Sequence, residues 1–380
     1  MKFPALIFPA LMFAGCMKQT KVEFTGDAPG IKSGVFIVKT PGDSTIYGEN
    51  IKDGKFSIPP KHLRQAGYYL MNITDDADSK DDHNPFEVYL EGGEYTIRTE
   101  AGKLYKYPKI ITSSKTQQEL SVFYSLADSL SADAIQQVTA INKELKDNYA
   151  KLSPDEYNKL LFKQQGYQEK INDVEAAAFK QFLKLYPQSV ISTHILSKLK
   201  YEDDPVTYNA IFQSLPPAAQ NTEDGQQIGQ RLTHLVKLVA GKPAPALEGN
   251  LPGGKPFDPK EIHKKVIVID FWRAGNELSR TNHDQIKSLL AQPNVSKNVA
   301  FISVSLDSKK DWWMTALKDD KLDWTQISDL KGDDSPNAAN YNVTEIPYYY
   351  VLDGSWNIIA PNVPIKSIGL EIDQYLKKHP

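Results

Sequence analysis

The sequence predicts a multi-domain α+β protein: a β-sandwich-like N-terminal domain, a helical middle region and a C-terminal α/β domain. Three patterns predict it. Short strand-like runs separated by turn signals fill residues 21–111, amphipathic helical stripes fill 112–238, and from 239 to 380 strands and helices alternate. With 380 residues and a 41% hydrophobic share, the chain can build more than one core. Its net charge of −3, with Lys and Arg scattered among Asp and Glu, speaks against a nucleic-acid partner.

Lys2 precedes an apolar run from Phe3 to Ala14, too short for a membrane span and suited to the h-region of a signal peptide. The run ends in Met12-Phe13-Ala14-Gly15-Cys16, which resembles the lipobox of bacterial lipoproteins. That resemblance implies a signal peptide over 1–15, lipidation of Cys16 and a tether over 16–20, with the bilayer as a partner through the acyl chains. Cys16 is the chain's single cysteine, so no dithiol is left for the folded part.

The β region opens with Val35-Phe36-Ile37-Val38-Lys39, followed by Pro41-Gly42-Asp43. Asp53-Gly54 marks a hairpin between Ile51 and Ile58. Tyr68 to Ile73, Phe86 to Leu90 and Tyr95 to Arg98 continue the rhythm, as in a small sandwich. Phe86 to Thr96, with its Glu-Gly-Gly-Glu-Tyr-Thr phrase, resembles the N-terminal β domain of unassigned role in Bacteroidota lipoproteins. One loop crowds Asp75, Asp76, Asp78, Asp81, Asp82 and His83. Counted from Asp76 it lacks the glycine that a calcium loop needs at its sixth position, so it reads as a solvated hairpin tip.

In the helical region Ile135, Val138, Ile141, Leu145 and Tyr149 fall at three-to-four spacing, as do Tyr167, Ile171 and Val174, then Phe179, Phe182 and Leu183. These stripes read as core and inter-helix contact. Ser153-Pro154-Asp155-Glu156 starts a helix, and the long pair around Asp155 also suits a hairpin that forms a homodimer. Leu215-Pro216-Pro217 interrupts the helices. Gly241-Lys242-Pro243-Ala244-Pro245 opens the last domain.

There the spacing predicts a strand over Val266–Phe271, a helix over Glu277–Leu290, a strand over Val299–Ser305 and a helix over Lys309–Leu317. A short helix near Ala338, a strand pair Tyr348–Leu352 and Trp356–Ala360, and a helix from about Ile368 follow. Alternation of this kind implies a parallel core, and the final hairpin adds an antiparallel edge. His194, His234 and His263 stand apart in the sequence, so no zinc site and no cofactor is expected. Trp312, Trp313 and Trp324 read as packing residues.

Asp270-Phe271-Trp272, a gap and Arg280 resemble the thioredoxin-family run D-F-W-x-x-W-C-x-x-C-R. In that register Asn276 and Ser279 hold the two cysteine positions, and Gly275 stands for the tryptophan. Val343-Thr344-Glu345-Ile346-Pro347 with Asp353-Gly354 resembles the same family's V-x-x-I/T-P…D-x-x-G, in which the proline is cis and the backbone before it pairs with an extended substrate. Gly241 to Pro245 resembles the opening of the TlpA-like and peroxiredoxin-like branches. The resemblance therefore implies a thioredoxin-like fold with a groove at Ile346 and Pro347.

Neither Asn276 nor Ser279 is a nucleophile without a nearby base, and the motif supplies none. Asn276 reads as a helix N-cap, with Glu277 favouring the macrodipole. The expectation is a redox-inactive domain in an outer-membrane lipoprotein facing the periplasm or the cell surface. It would bind an extended peptide or an envelope protein, or serve as a scaffold. The alternative is a TlpA-like thiol-disulfide oxidoreductase or a peroxiredoxin-like antioxidant protein, as the whole-domain resemblance implies.

Overall fold

The computed structural model describes residues 20–77 and 85–379, so Cys16 and the acidic run from Asp78 to His83 lie outside the described residues. The chain forms two compact units. One comprises residues up to Leu199 together with Leu215–Gly225, and the other Lys200–Ser214 with Gln226–Pro380. Among the described residues no helix is long and apolar enough to cross a membrane.

The first unit begins with β1 (Lys21–Asp27), β2 (Ser33–Lys39), β3 (Thr45–Lys52), β4 (Lys55–His62), β5 (Gly67–Ile73), β6 (Phe86–Leu90), β7 (Gly93–Arg98) and β8 (Lys109–Ile111). Asp53 and Gly54 make the β3–β4 turn with φ of 47° and 76°, the left-handed pair that a tight hairpin requires. The eight strands join in one sheet, in the order β6-β5-β2-β3-β4-β1-β7-β8.

That sheet is curled. Two strands separate β2 from β1, so a flat sheet would hold them about 14 Å apart at ordinary strand spacing. Yet the Phe24 and Phe36 rings lie 5.3 Å apart, and Phe36 stacks on Phe56 at 4.3 Å. Alternate residues of the strands therefore face a single enclosed core, in which Val22, Phe24, Phe36, Val38, Met71, Val88 and Tyr95 are buried. The hydrogen bonding runs without a break through all eight strands, so the sandwich-like core is enclosed by one folded-over sheet.

Helices follow: α1 (Lys115–Asn148), α2 (Pro154–Asn172), α3 (Val174–Leu185), α4 (Ser192–Lys198), α5 (Pro205–Ser214), α6 (Pro217–Gln220) and α7 (Glu223–Leu235). Ser153 caps α2 in a full capping box with Glu156. Phe179 and Phe182 of α3 are fully buried. The stripe on α2 behaves otherwise: none of its residues is buried, and Phe162 is 80% exposed. Periodicity marks an apolar face, and α1 covers this one only in part, so Tyr167 and Ile171 are half-buried.

In the second unit β9 (Val266–Trp272), α8 (Glu277–Leu290), α9 (Pro293–Asn298), β10 (Val299–Ser305), α10 (Lys310–Asp319), β11 (Thr325–Ser328), α11 (Pro336–Asn340), β12 (Tyr348–Asp353), β13 (Ile358–Ala360) and α12 (Ile365–Lys378) succeed one another. The sheet order is β11-β10-β9-β12-β13. β9, β10 and β11 are parallel, while β12 runs antiparallel to β9 and β13 antiparallel to β12. All of β9 is buried because its two faces enter different cores. Ile267, Ile269 and Phe271 face one, and Val266 and Val268 meet Ile286, Ile368 and Ile372 in the other. This is a thioredoxin-like α/β arrangement. The sequence pattern announces neither β11, whose four residues are too few for a period, nor α9; α12 begins three residues before the expected Ile368.

Candidate functional site

The site residues sit where β9 ends and α8 begins. The Arg273 carbonyl accepts from the Asn276 amide in a tight turn, and the Ala274 amide donates to both oxygens of the buried Asp307 carboxylate, at 3.2 and 3.0 Å. Asn276 has extended backbone, and its Oδ1 accepts from the Ser279 amide at 2.8 Å. The two positions that hold cysteines in the related motif are thus closed on one another as cap and third helical residue. Replacing Asn276 with alanine would strip that partner from an amide in a fully buried residue. We expect a loss of about 1 kcal/mol in urea unfolding.

Ser279 and His283 are wholly buried, but they do not form a nucleophile–base pair. The Ser279 hydroxyl has no hydrogen-bond partner among the described residues. The ring nitrogens of His283 lie 3.4 Å from Asp270 and 3.6 Å from Asp320. Asp270 accepts from Ser303 at 2.7 Å, and Trp324 donates to the Ser303 hydroxyl at 2.9 Å. Trp272 stands edge-on to the His283 ring at 4.6 Å. Arg280 binds Asp320 with two nitrogens, at 2.8 and 2.5 Å, and this pairing is the main cause holding the Asp320 carboxyl below its usual range. Trp313 packs in the core beneath the turn, while Trp312 is half exposed under Lys309.

The Ile346–Pro347 peptide bond is cis. Because Tyr348 pairs with Phe271, Pro347 falls opposite Trp272, the last residue of β9, beside the turn that leads to Asn276. Thr344 and Glu345 are exposed, and among the described residues no backbone hydrogen bond engages Thr344, Glu345 or Ile346. The turn at Asn276 and Ser279 and the strand entry at Ile346 and Pro347 therefore meet at one end of the sheet. Cys16 lies outside the described residues.

A second constellation was not legible in the sequence. His194, apart from other histidines along the chain, is only 7% exposed and bonded on both nitrogens: Nδ1 to Asp224 at 2.9 Å and Nε2 to Glu87 at 2.8 Å. Its ring stacks on Tyr68, and Lys198 reaches Glu87 at 3.2 Å. The two carboxylates lie on opposite nitrogens, so the three groups do not converge on a point where an ion could sit. Among the described residues no cluster is placed to hold a metal. Glu87 and His194 are 107 positions apart, and no local pattern joins them.

No family model and no curated protein matches the sequence. Solved structures do. A thioredoxin-like protein from Bacteroides caccae is 15% identical, with a TM-score of 0.44, over 61% of this chain and 87% of that one. A thiol:disulfide interchange protein from Bacteroides sp. is 24% identical, with a TM-score of 0.33, over 37% of this chain and 92% of that one. A thiol-disulfide oxidoreductase from Bacteroides fragilis is 23% identical, with a TM-score of 0.33, over 35% and 98%.

Proposed function

We propose that the C-terminal unit is a redox-inactive thioredoxin-like module that binds an extended peptide or a partner protein by backbone pairing at the Ile346 edge. The module would belong to an envelope lipoprotein held on the outer membrane through acylated Cys16. One observation carries the binding reading: an exposed strand entry with unpaired backbone lies beside a turn whose two cysteine positions are filled by a capping Asn276 and a buried Ser279. Thiol-disulfide exchange requires a thiolate, and the one cysteine of the chain stands at position 16, in the lipobox-like segment. Thiol-disulfide exchange, the chemistry for which the similar Bacteroides proteins are named, is the rival reading.

Capture from native envelope membranes tests the proposal. The wild type is expected to retain partners that a Pro347→Ala variant loses; equal recovery would overturn the edge as the binding site. Insulin reduction with dithiothreitol is expected to stay at background, and a clear rate above it would establish the rival. Replacing Cys16 with alanine is expected to release the protein from membranes.

A further inference from the structure

The second unit contains a cavity of about 520 Å³, lined by Glu202, Asp203, Asp204, Glu345, Tyr348 and Tyr350 among others. Its size falls in the range of about 300–1,000 Å³ typical of ligand sites. Leu235, Leu238 and the two tyrosines make an apolar floor. No lysine, arginine or histidine lines it. Two of the carboxylates are engaged: Glu202 pairs with Arg231, and Asp204 accepts from the Thr207 amide at the start of α5. Asp203 and Glu345 form no ion pair among the described residues. Burial first, then the charges of Glu202 and Glu345, push the Tyr348 hydroxyl up, so this wall of the cavity feels negative potential.

The cavity shares Thr344, Glu345 and Tyr348 with the unpaired strand entry. A chain lying along that edge would therefore place a side chain at the mouth of the cavity. The matching side chain has an apolar stem for the tyrosine and leucine floor and a cationic head for Asp203 and Glu345. We infer that the cavity takes a lysine or arginine side chain of a basic segment bound in extended form. This inference rests on the edge-binding reading and names the class of peptide it selects.

The test uses the chain from Lys18 onward, which keeps every described residue, and fluorescein-labelled decapeptides alternating valine with lysine, glutamine or glutamate. By anisotropy the lysine peptide should bind about tenfold more tightly than the glutamine peptide, with an advantage that shrinks as salt rises. Binding of the glutamate peptide should be weakest. A double variant, Asp203→Asn with Glu345→Gln, should lose the lysine preference at an unchanged thermal midpoint. Equal binding of the three peptides, or an undiminished preference in the double variant, would overturn the inference. Native partners lost by Pro347→Ala but fully kept by the double variant would overturn the cationic cavity while leaving the edge reading intact.

Discussion

A His194→Ala variant is expected to lose about 3 kcal/mol of stability in the N-terminal unit, the low end of the cost of removing one partner of a buried ion pair, because Lys198 stays on Glu87. The imidazole is 7% exposed and Glu87 13%, so solvent does little to replace the missing partner. Burial alone would push the imidazole down, but the bonds to Asp224 and Glu87 outweigh it and hold it above its ordinary value. Burial likewise favours a protonated Glu87, yet His194 and Lys198 bring it below the usual carboxylate range. The His194 bond is the main cause that lowers Asp224.

These directions set a pH window. Stability from His194 is fully present below about pH 6.5, the unfolded imidazole value, and disappears as pH rises through the raised folded value. Stability from Glu87 and Asp224 is present above about pH 4.3 and disappears as pH falls through their lowered folded values. The wild type should therefore have its highest thermal midpoint between about pH 4.5 and 6.5 and decline towards pH 9. The variant should show a flatter profile on the alkaline side. Circular-dichroism melts from pH 4 to 9 check this; parallel profiles for the two proteins would remove His194 as the cause.

Restoring the dithiol should have the largest effect on activity. Asn276→Cys with Ser279→Cys places one thiol at the N-cap of α8 and the other in its first turn, where the open amides and the macrodipole favour a thiolate. The double variant is expected to catalyse insulin reduction by dithiothreitol well above background. Asn276→Cys alone should not, because a mixed disulfide then has no resolving thiol. A silent double variant whose two thiols still titrate would show that Gly275 and the buried Asp270–His283 pair no longer support exchange. Activity equal to the double variant in the unmodified chain would contradict the redox-inactive reading directly.

Both expectations show how unevenly the molecule can be read. Val266 to Phe271 announces a central strand because four β-branched residues in a row suit a strand covered on both faces, and Asn276 announces its helix because a side-chain acceptor there meets an open amide. Those are local effects, carried by neighbouring residues. α2 is legible only in part because α1 covers its stripe incompletely, leaving Tyr167 and Ile171 half-buried, and β11 escapes because four residues carry no period.

The sequence alone determined the order of the three regions, the thioredoxin-like succession of strands and helices, and the placement of the only cysteine at position 16. Its resemblance to the family run puts forward Asn276 and Ser279 as the positions where the related motif carries thiols. Tertiary structure decided the rest: the curl that brings Phe24 to Phe36, the clamp of His194 between Glu87 and Asp224, and the meeting of α5, α7 and the Glu345 segment around an acidic cavity. The physical reason is range. Propensity, capping and hydrophobic period act over a few residues, whereas ion pairs and cavities depend on which distant segments the packing of the core brings together.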